Sequence, residues 1–371
     1  MKALTYSLAV ASIALVAFGC TQKVNVVGNT ENPVAKEFLD SVSYPDGNYD
    51  STEVLFYKDM KADFRKDRPS PLVIKFKADS TLGALLLSVA QDKAFEDVFI
   101  TKELEASADS ALVYNLVPGK EYFYRIAGKK NGRNKVLVKG TLKAEGPLRM
   151  IYGESEDFWN FRDIGGMETV DGKTIRYCKM YRGGQLNRCP TAPISAEDLE
   201  MLKSLGIRSD IDLRNFEELN NGTPEDPSDD LYYTPIDSSE VTYVNFPIDA
   251  YVIATTDSVR LSNLMKYIFN DVRIGVPCYV HCAAGADRTG TTFFLLEGLL
   301  GVKEEQVAKD YELTTFCMWD RTRNSSWYHT MIDHINSLKG ETLRDRYETF
   351  FTDHLGISRE EIEEFRNLML E

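Results

Sequence analysis

Cys282 and Arg288 are separated by five residues in the stretch His281-Cys282-Ala283-Ala284-Gly285-Ala286-Asp287-Arg288-Thr289-Gly290, and chemistry can be built on that pair. Thiolate, not thiol, is the attacking form of cysteine, and a helix N-terminus or a neighbouring guanidinium favours it. Arg288 presents a planar fork that matches two oxygens of a phosphoryl group, a geometry lysine cannot copy. Between the two, Ala283, Ala284, Gly285, Ala286 and Asp287 carry little bulk, so successive backbone N–H groups can surround a tetrahedral dianion together with Arg288. The chemistry this predicts is displacement at phosphorus with Cys282 as nucleophile. His281 is expected to order the loop by hydrogen bonding, and the Thr289 hydroxyl to reach the sulfur. A leaving oxygen needs a proton, and two carboxyl groups are candidates. Asp249 stands 33 residues before Cys282 in Asn245-Phe246-Pro247-Ile248-Asp249, beyond a strand end. Asp287 sits inside the loop itself. The residues leave both open.

Such a loop needs a strand to deliver it and a helix to receive it. Val276-Pro277-Cys278-Tyr279-Val280 is apolar and β-prone, and Thr291 to Leu300 is a helical run. Upstream, Ser195 with Asp198 makes a capping-box-like start to a helix carrying Leu199, Leu202 and Leu205, stopped by Gly206. A strand over 208–213 follows. Near the C-terminus Ser358-Arg359-Glu360-Glu361 opens a last helix. Alternating helices and strands predict an α/β domain over 148–371, with a mixed or parallel sheet flanked by helices.

The preceding segment reads differently. Over 33–147, short apolar runs such as Pro71 to Phe76 and Ala84 to Val89 are separated by turn signals, which predicts an all-β sandwich. Tyr122, Tyr124 and Ile126, then Val136, Val138 and Thr141, alternate as its last two strands. Leu116-Val117-Pro118-Gly119-Lys120-Glu121-Tyr122 resembles the tyrosine corner of fibronectin type III and immunoglobulin-like sandwiches. Residues 1–19 carry Lys2 and an apolar run from Tyr6 to Phe18, the pattern of an export signal. Ala17-Phe18-Gly19-Cys20 resembles a lipoprotein cleavage box, which would acylate Cys20 and leave 20–32 as a tether. The expected location is a membrane anchorage in the periplasm or at the cell surface.

With 371 residues, two folded units are expected, and a net charge of −14 argues against a nucleic-acid partner. Six cysteines contain no C-x-x-C pair, so neither zinc nor any other metal is expected. Cys178 and Cys189 are candidates for a bridge in an oxidising compartment, with free thiols as the equal alternative.

Several motifs share a family likeness. In order they are Asn160-Phe161-Arg162-Asp163-Ile164-Gly165-Gly166, Tyr181-Arg182-Gly183-Gly184-Gln185-Leu186, Asp210-Ile211-Asp212-Leu213-Arg214 with Glu218, and the loop itself. Together they resemble the bacterial tyrosine-protein phosphatase family from about Asp157 to the C-terminus. The resemblance implies the cysteine-phosphatase fold, a phosphocysteine intermediate and no cofactor. It further implies a phosphorylated protein or small phosphomonoester as substrate, and a salt-bridged structural role for Asp212 and Arg214 beside the loop. Lipid-acting members carry Lys before the loop aspartate, where this chain has Ala286, which weighs against an inositol phosphate or phosphoinositide substrate. A non-catalytic module that binds phosphate at the cell surface is the alternative from a different class.

Overall fold

The computed structural model describes residues 25–28, 31–41, 68–155, 158–186, 194–215, 234–236, 239–317 and 321–371. Cys20, Cys189 and Glu218 lie outside them, as do the export signal and the proposed Cys178–Cys189 bridge. The described residues fall into two compact units, one holding those up to Glu31 and residues 69–146, the other holding residues 32–41, Arg68 and those from Pro147 on.

In the first unit, strands β1 (Asn25–Val27), β2 (Leu72–Lys75) and β5 (Ser110–Val113) form one sheet. A second holds β4 (Val98–Leu104), β3 (Leu85–Ala90), β6 (Glu121–Lys130) and β7 (Arg133–Lys143) in that order. Every pairing is antiparallel. Alternation along β6 puts Tyr122, Tyr124 and Ile126 into a core shared with Leu72, Ile74, Leu87 and Val138. The oxygen of Tyr122 accepts the Val117 N–H at 3.2 Å. Val136 departs from the expected pattern: a register shift between Ile126 and Ala127 turns it outward and seats Leu137 inside.

Two expected boundaries move. Residues 25–27, read as tether, are a strand, because Val26 packs on the apolar cluster while the backbone pairs with β2. Residues 33–41, read as sandwich, are helix α1 (Pro33–Ser41) of the second unit. Its Phe38 meets Phe316 at 5.4 Å, and Lys309 Nζ donates to the Leu39 carbonyl.

The second unit is built on a six-stranded sheet, in the order β12 (Thr242–Asn245), β11 (Ser209–Asp212), β13 (Cys278–Cys282), β10 (Met180–Gly184), β9 (Arg162–Asp163), β8 (Arg149–Met150). The first four are parallel, and β9 pairs antiparallel with both β10 and β8, so the sheet is mixed. Its core is fed by helices α4 (Ser258–Arg273), α5 (Asp287–Leu300), α6 (Glu304–Glu312), α7 (Ser326–Asn336), α8 (Leu343–Thr349) and α9 (Arg359–Met369). Ser358 and Glu361 close a reciprocal capping box on α9. Ser195 caps helix α2 (Ala196–Ser204), but Asp198 turns instead to the N–H groups of Glu154 and Ser155. β13 therefore occupies the middle of the sheet and hands its C-terminal end to the N-terminus of α5, where open α/β sheets bind ligands.

Candidate active site

Cys282 is the last residue of β13, and Asp287 and Arg288 open α5, one turn earlier than the apolar run alone implied. The intervening turn is possible because Gly285 is left-handed, with φ +66°, and a Cβ there would lie 2.3 Å from the Gly183 carbonyl. The loop carbonyls are taken up from outside. Ala283 O accepts the Gln185 N–H at 3.2 Å, and Gly285 O accepts from Asn160 Nδ2 at 2.9 Å and from Arg182 Nη2 at 3.1 Å. Since N–H and C=O of one planar peptide point opposite ways, these bonds turn the amides of Ala284 and Ala286 away from that frame.

A cavity of about 540 Å³ opens in front of the loop. It is lined by Cys282, Ala283, Ala284, Asp287 and Arg288 from the loop and by Asp249 from the turn after β12. Of the residues expected around the phosphate, Gly285 and Ala286 lie off the cavity wall and are buried behind it. The Thr289 hydroxyl is fully buried and makes no hydrogen bond among the described residues, so the expected contact with sulfur is not formed.

The two acid candidates differ. Asp287 is engaged: Arg321 Nε and Nη2 donate to its two oxygens at 2.6 and 2.8 Å, and the Tyr251 hydroxyl donates to the first of them. Asp249 is exposed on the same cavity and has no side-chain hydrogen bond or ion pair among the described residues.

The rest of the wall was not legible in the sequence. Tyr251 begins the short helix α3 (Tyr251–Ala254) with φ +57°, a conformation rare outside glycine, and its N–H is held by Thr291 Oγ1 at 2.7 Å. Its ring stacks on Trp327 at 5.5 Å and its hydroxyl meets that of Tyr311 at 2.8 Å. Tyr311, Arg321, Ser325 and Trp327 come from the chain after α5. They carry no motif: Tyr311 arrives on α6, and the return of α7 against α3 brings Trp327 to the same cavity.

His281, Asp210, Asp212 and Arg214 form a buried charged network at the start of the loop. His281 Nε2 lies 3.1 Å from Asp210 and Nδ1 3.9 Å from Asp212 and 3.3 Å from the Cys282 carbonyl. Burial opposes its protonation, but the two carboxylates outweigh burial and raise its pKa above the ordinary value. Asp212 and Arg214 form a buried pair of 2.6 Å, and Arg214 Nη1 reaches Gln185 at 2.7 Å. Burial would raise the Asp212 carboxyl, yet His281 and Arg214 hold it below the usual carboxylate range.

The tyrosine phosphatase family profile matches residues 154–371. A protein of Cupriavidus necator named putative tyrosine-protein phosphatase is 28% identical over 168 residues, which is 41% of this chain and 59% of that protein. The chain thus spans about three fifths of that relative's length. A crystal structure of kinase associated phosphatase, its catalytic-site cysteine replaced by serine, is 17% identical over 49% of this chain and 89% of that chain, with a TM-score of 0.25.

Proposed function

The chain belongs to the tyrosine phosphatase family, and from that premise we propose that it is a protein-tyrosine phosphatase working through a phosphocysteine intermediate. The observation that carries this reading is that Cys282, the loop residues Ala283 and Ala284, and Arg288 line one cavity at a helix N-terminus, walled by Tyr251, Tyr311 and Trp327. The thiolate of Cys282 attacks phosphorus and the ester P–O bond breaks. Arg288 and the loop amides hold the equatorial oxygens as charge moves onto them. Asp249 gives its proton to the leaving oxygen, since its carboxyl is unencumbered while both oxygens of Asp287 accept from Arg321. Water then attacks the phosphocysteine, Asp249 takes its proton back, and inorganic phosphate leaves with the thiolate restored. The aromatic walls suit a phenolic ester.

We propose further that residues 69–146 form a fibronectin type III-like unit. Its support is the six strands β2 to β7, joined by β1 from residues 25–27 in antiparallel pairings, and the Tyr122 contact with Val117. Acylated Cys20 would anchor the protein outside the cytoplasm, a proposal resting on Ala17 to Cys20. Mass spectrometry of the mature N-terminus from membranes tests it: a diacylglyceryl group on Cys20 supports the anchor, and an uncleaved Met1 contradicts it.

Kinetics on aryl and alkyl phosphates test the enzyme. Asp249→Asn should lower kcat for an alkyl phosphate by about 100- to 10,000-fold, with a much smaller loss for p-nitrophenyl phosphate, whose leaving group needs no proton. The same selectivity in Asp287→Asn, with Asp249→Asn unaffected, would move the acid to Asp287. Activity should survive chelators.

A further inference from the structure

Behind the loop, on the side away from the cavity, lies a cluster of charge with no contact to water. Asn160 just before β9, Arg162 on β9, Arg182 on β10, Glu297 on α5 and Asp310 on α6 are each at most 2% exposed, and none lines the cavity. Burying an ion costs several kcal/mol even after relaxation, so such a cluster persists only where its geometry is closely satisfied. Here the bonds form a closed circuit. Arg182 Nη1 donates to Asp310 Oδ2, Arg162 Nε donates to Asp310 Oδ1 at 2.7 Å, and Arg162 Nη1 donates to the Asn160 carbonyl at 3.1 Å. Burial raises the Glu297 carboxyl well above its ordinary value, aided by Asp310. Burial also pushes the Arg182 guanidinium down, to about 10 even with Asp310 beside it, which leaves it charged.

The circuit converges on one atom of the loop. The Gly285 carbonyl oxygen accepts from both Asn160 Nδ2, at 2.9 Å, and Arg182 Nη2, at 3.1 Å. Neither donor can swing aside. Asn160 Nδ2 is also held by Thr314 Oγ1 at 3.0 Å, and the Arg182 guanidinium lies 5.0 Å from the Phe293 ring centroid.

The physical need is plain. Amides aimed at one point repel each other until an anion arrives, and glycine offers the least resistance to a peptide flip. A flip of the Gly285–Ala286 peptide would withdraw an N–H and turn a carbonyl oxygen on the phosphate. Resting on the phosphatase reading above, we propose that Arg182, oriented by Asp310, is a positioning residue for catalysis. It clamps the Gly285 carbonyl outward so that the loop stays in its oxyanion-binding form before substrate binds.

The test uses the full-length protein, with each preparation scored per working site by stoichiometric alkylation of Cys282. Arg182→Gln should lower kcat for p-nitrophenyl phosphate per titrated site by about 10- to 100-fold, with KM changed far less. The inhibition constant for orthovanadate should rise by a comparable factor. Arg182→Lys, which keeps the charge without the fork, should fall between that variant and wild type. A purely structural role predicts fewer titratable sites, each with wild-type kcat and vanadate affinity, and that result overturns the proposal. If the Arg182 variants do not fold, Asn160→Ser, which removes the other donor to the same carbonyl, carries the test: a matched loss supports the clamp, and wild-type values per site sink it. Failure of the enzymatic reading is separately visible, as wild-type protein whose turnover does not depend on Cys282.

Discussion

Arg321–Asp287 in front of the loop and Arg182–Asp310 behind it are the same ion pair in two settings. The front side chains are 23% and 35% exposed, the rear ones 1% and 2%. Exposed pairs are screened and contribute little, so a charged substrate can compete for them. Sealed pairs cannot trade partners without leaving a bare ion in the interior, so they behave as fixed parts. The difference teaches how one short loop is held rigid on one side and kept negotiable on the other.

The largest expected difference is in stability. Asp310→Ala should cost about 3–5 kcal/mol in a denaturant titration, because two buried guanidiniums lose their carboxylate. Asp287→Ala should cost at most about 1 kcal/mol. Equal losses would break the distinction between front and rear.

Next comes a proton on the rear side. His281 has a raised folded pKa, so the stability its charge contributes is fully present below the unfolded value of 6.5. It is lost as pH rises through the folded value. His281→Gln should therefore destabilise by about 2 kcal/mol at pH 6 and by less at pH 9, read from melting curves. A deficit that grows with pH would mean that the imidazole is held neutral.

Much of this frame was legible in advance, for a physical reason. Cys282, the loop amides, Arg288 and the helix start occupy one contiguous stretch, and the alternation of helices and strands fixes where such a stretch must sit in a sheet. Asp212 and Arg214 were readable as a pair only through the family resemblance, and the structure places them in a buried pair of 2.6 Å. Arg162 and Arg182 were visible in motifs, but their roles were not, since burial of a charge shows only when its partner Asp310, far along the chain, is found beside it. Arg321 and Trp327 gave no signal, as their meeting with Tyr251 depends on how α7 returns. The helical state of residues 33–41 was missed because the all-β reading, set by the strands after Pro71, was extended upstream over them.

On the cavity side, Trp327→Ala should raise KM for p-nitrophenyl phosphate about 3- to 10-fold, the worth of one aromatic contact. An alkyl phosphate should change less, and an equal change would remove the aromatic wall from substrate selection. The smallest effect is Glu297→Gln. A raised acid makes folding most favourable below the unfolded value of 4.5 and progressively less so above it, so the amide should flatten the fall in melting temperature from pH 5 to pH 8.

The most direct test of the account is where the phosphoryl group goes. Asp249→Asn protein mixed with p-nitrophenyl phosphate, quenched rapidly and mapped by peptide mass spectrometry, should carry a phosphoryl group on Cys282, and Cys282→Ser should show neither that adduct nor turnover. A phosphoryl group on any other residue, or wild-type turnover by Cys282→Ser, would contradict it.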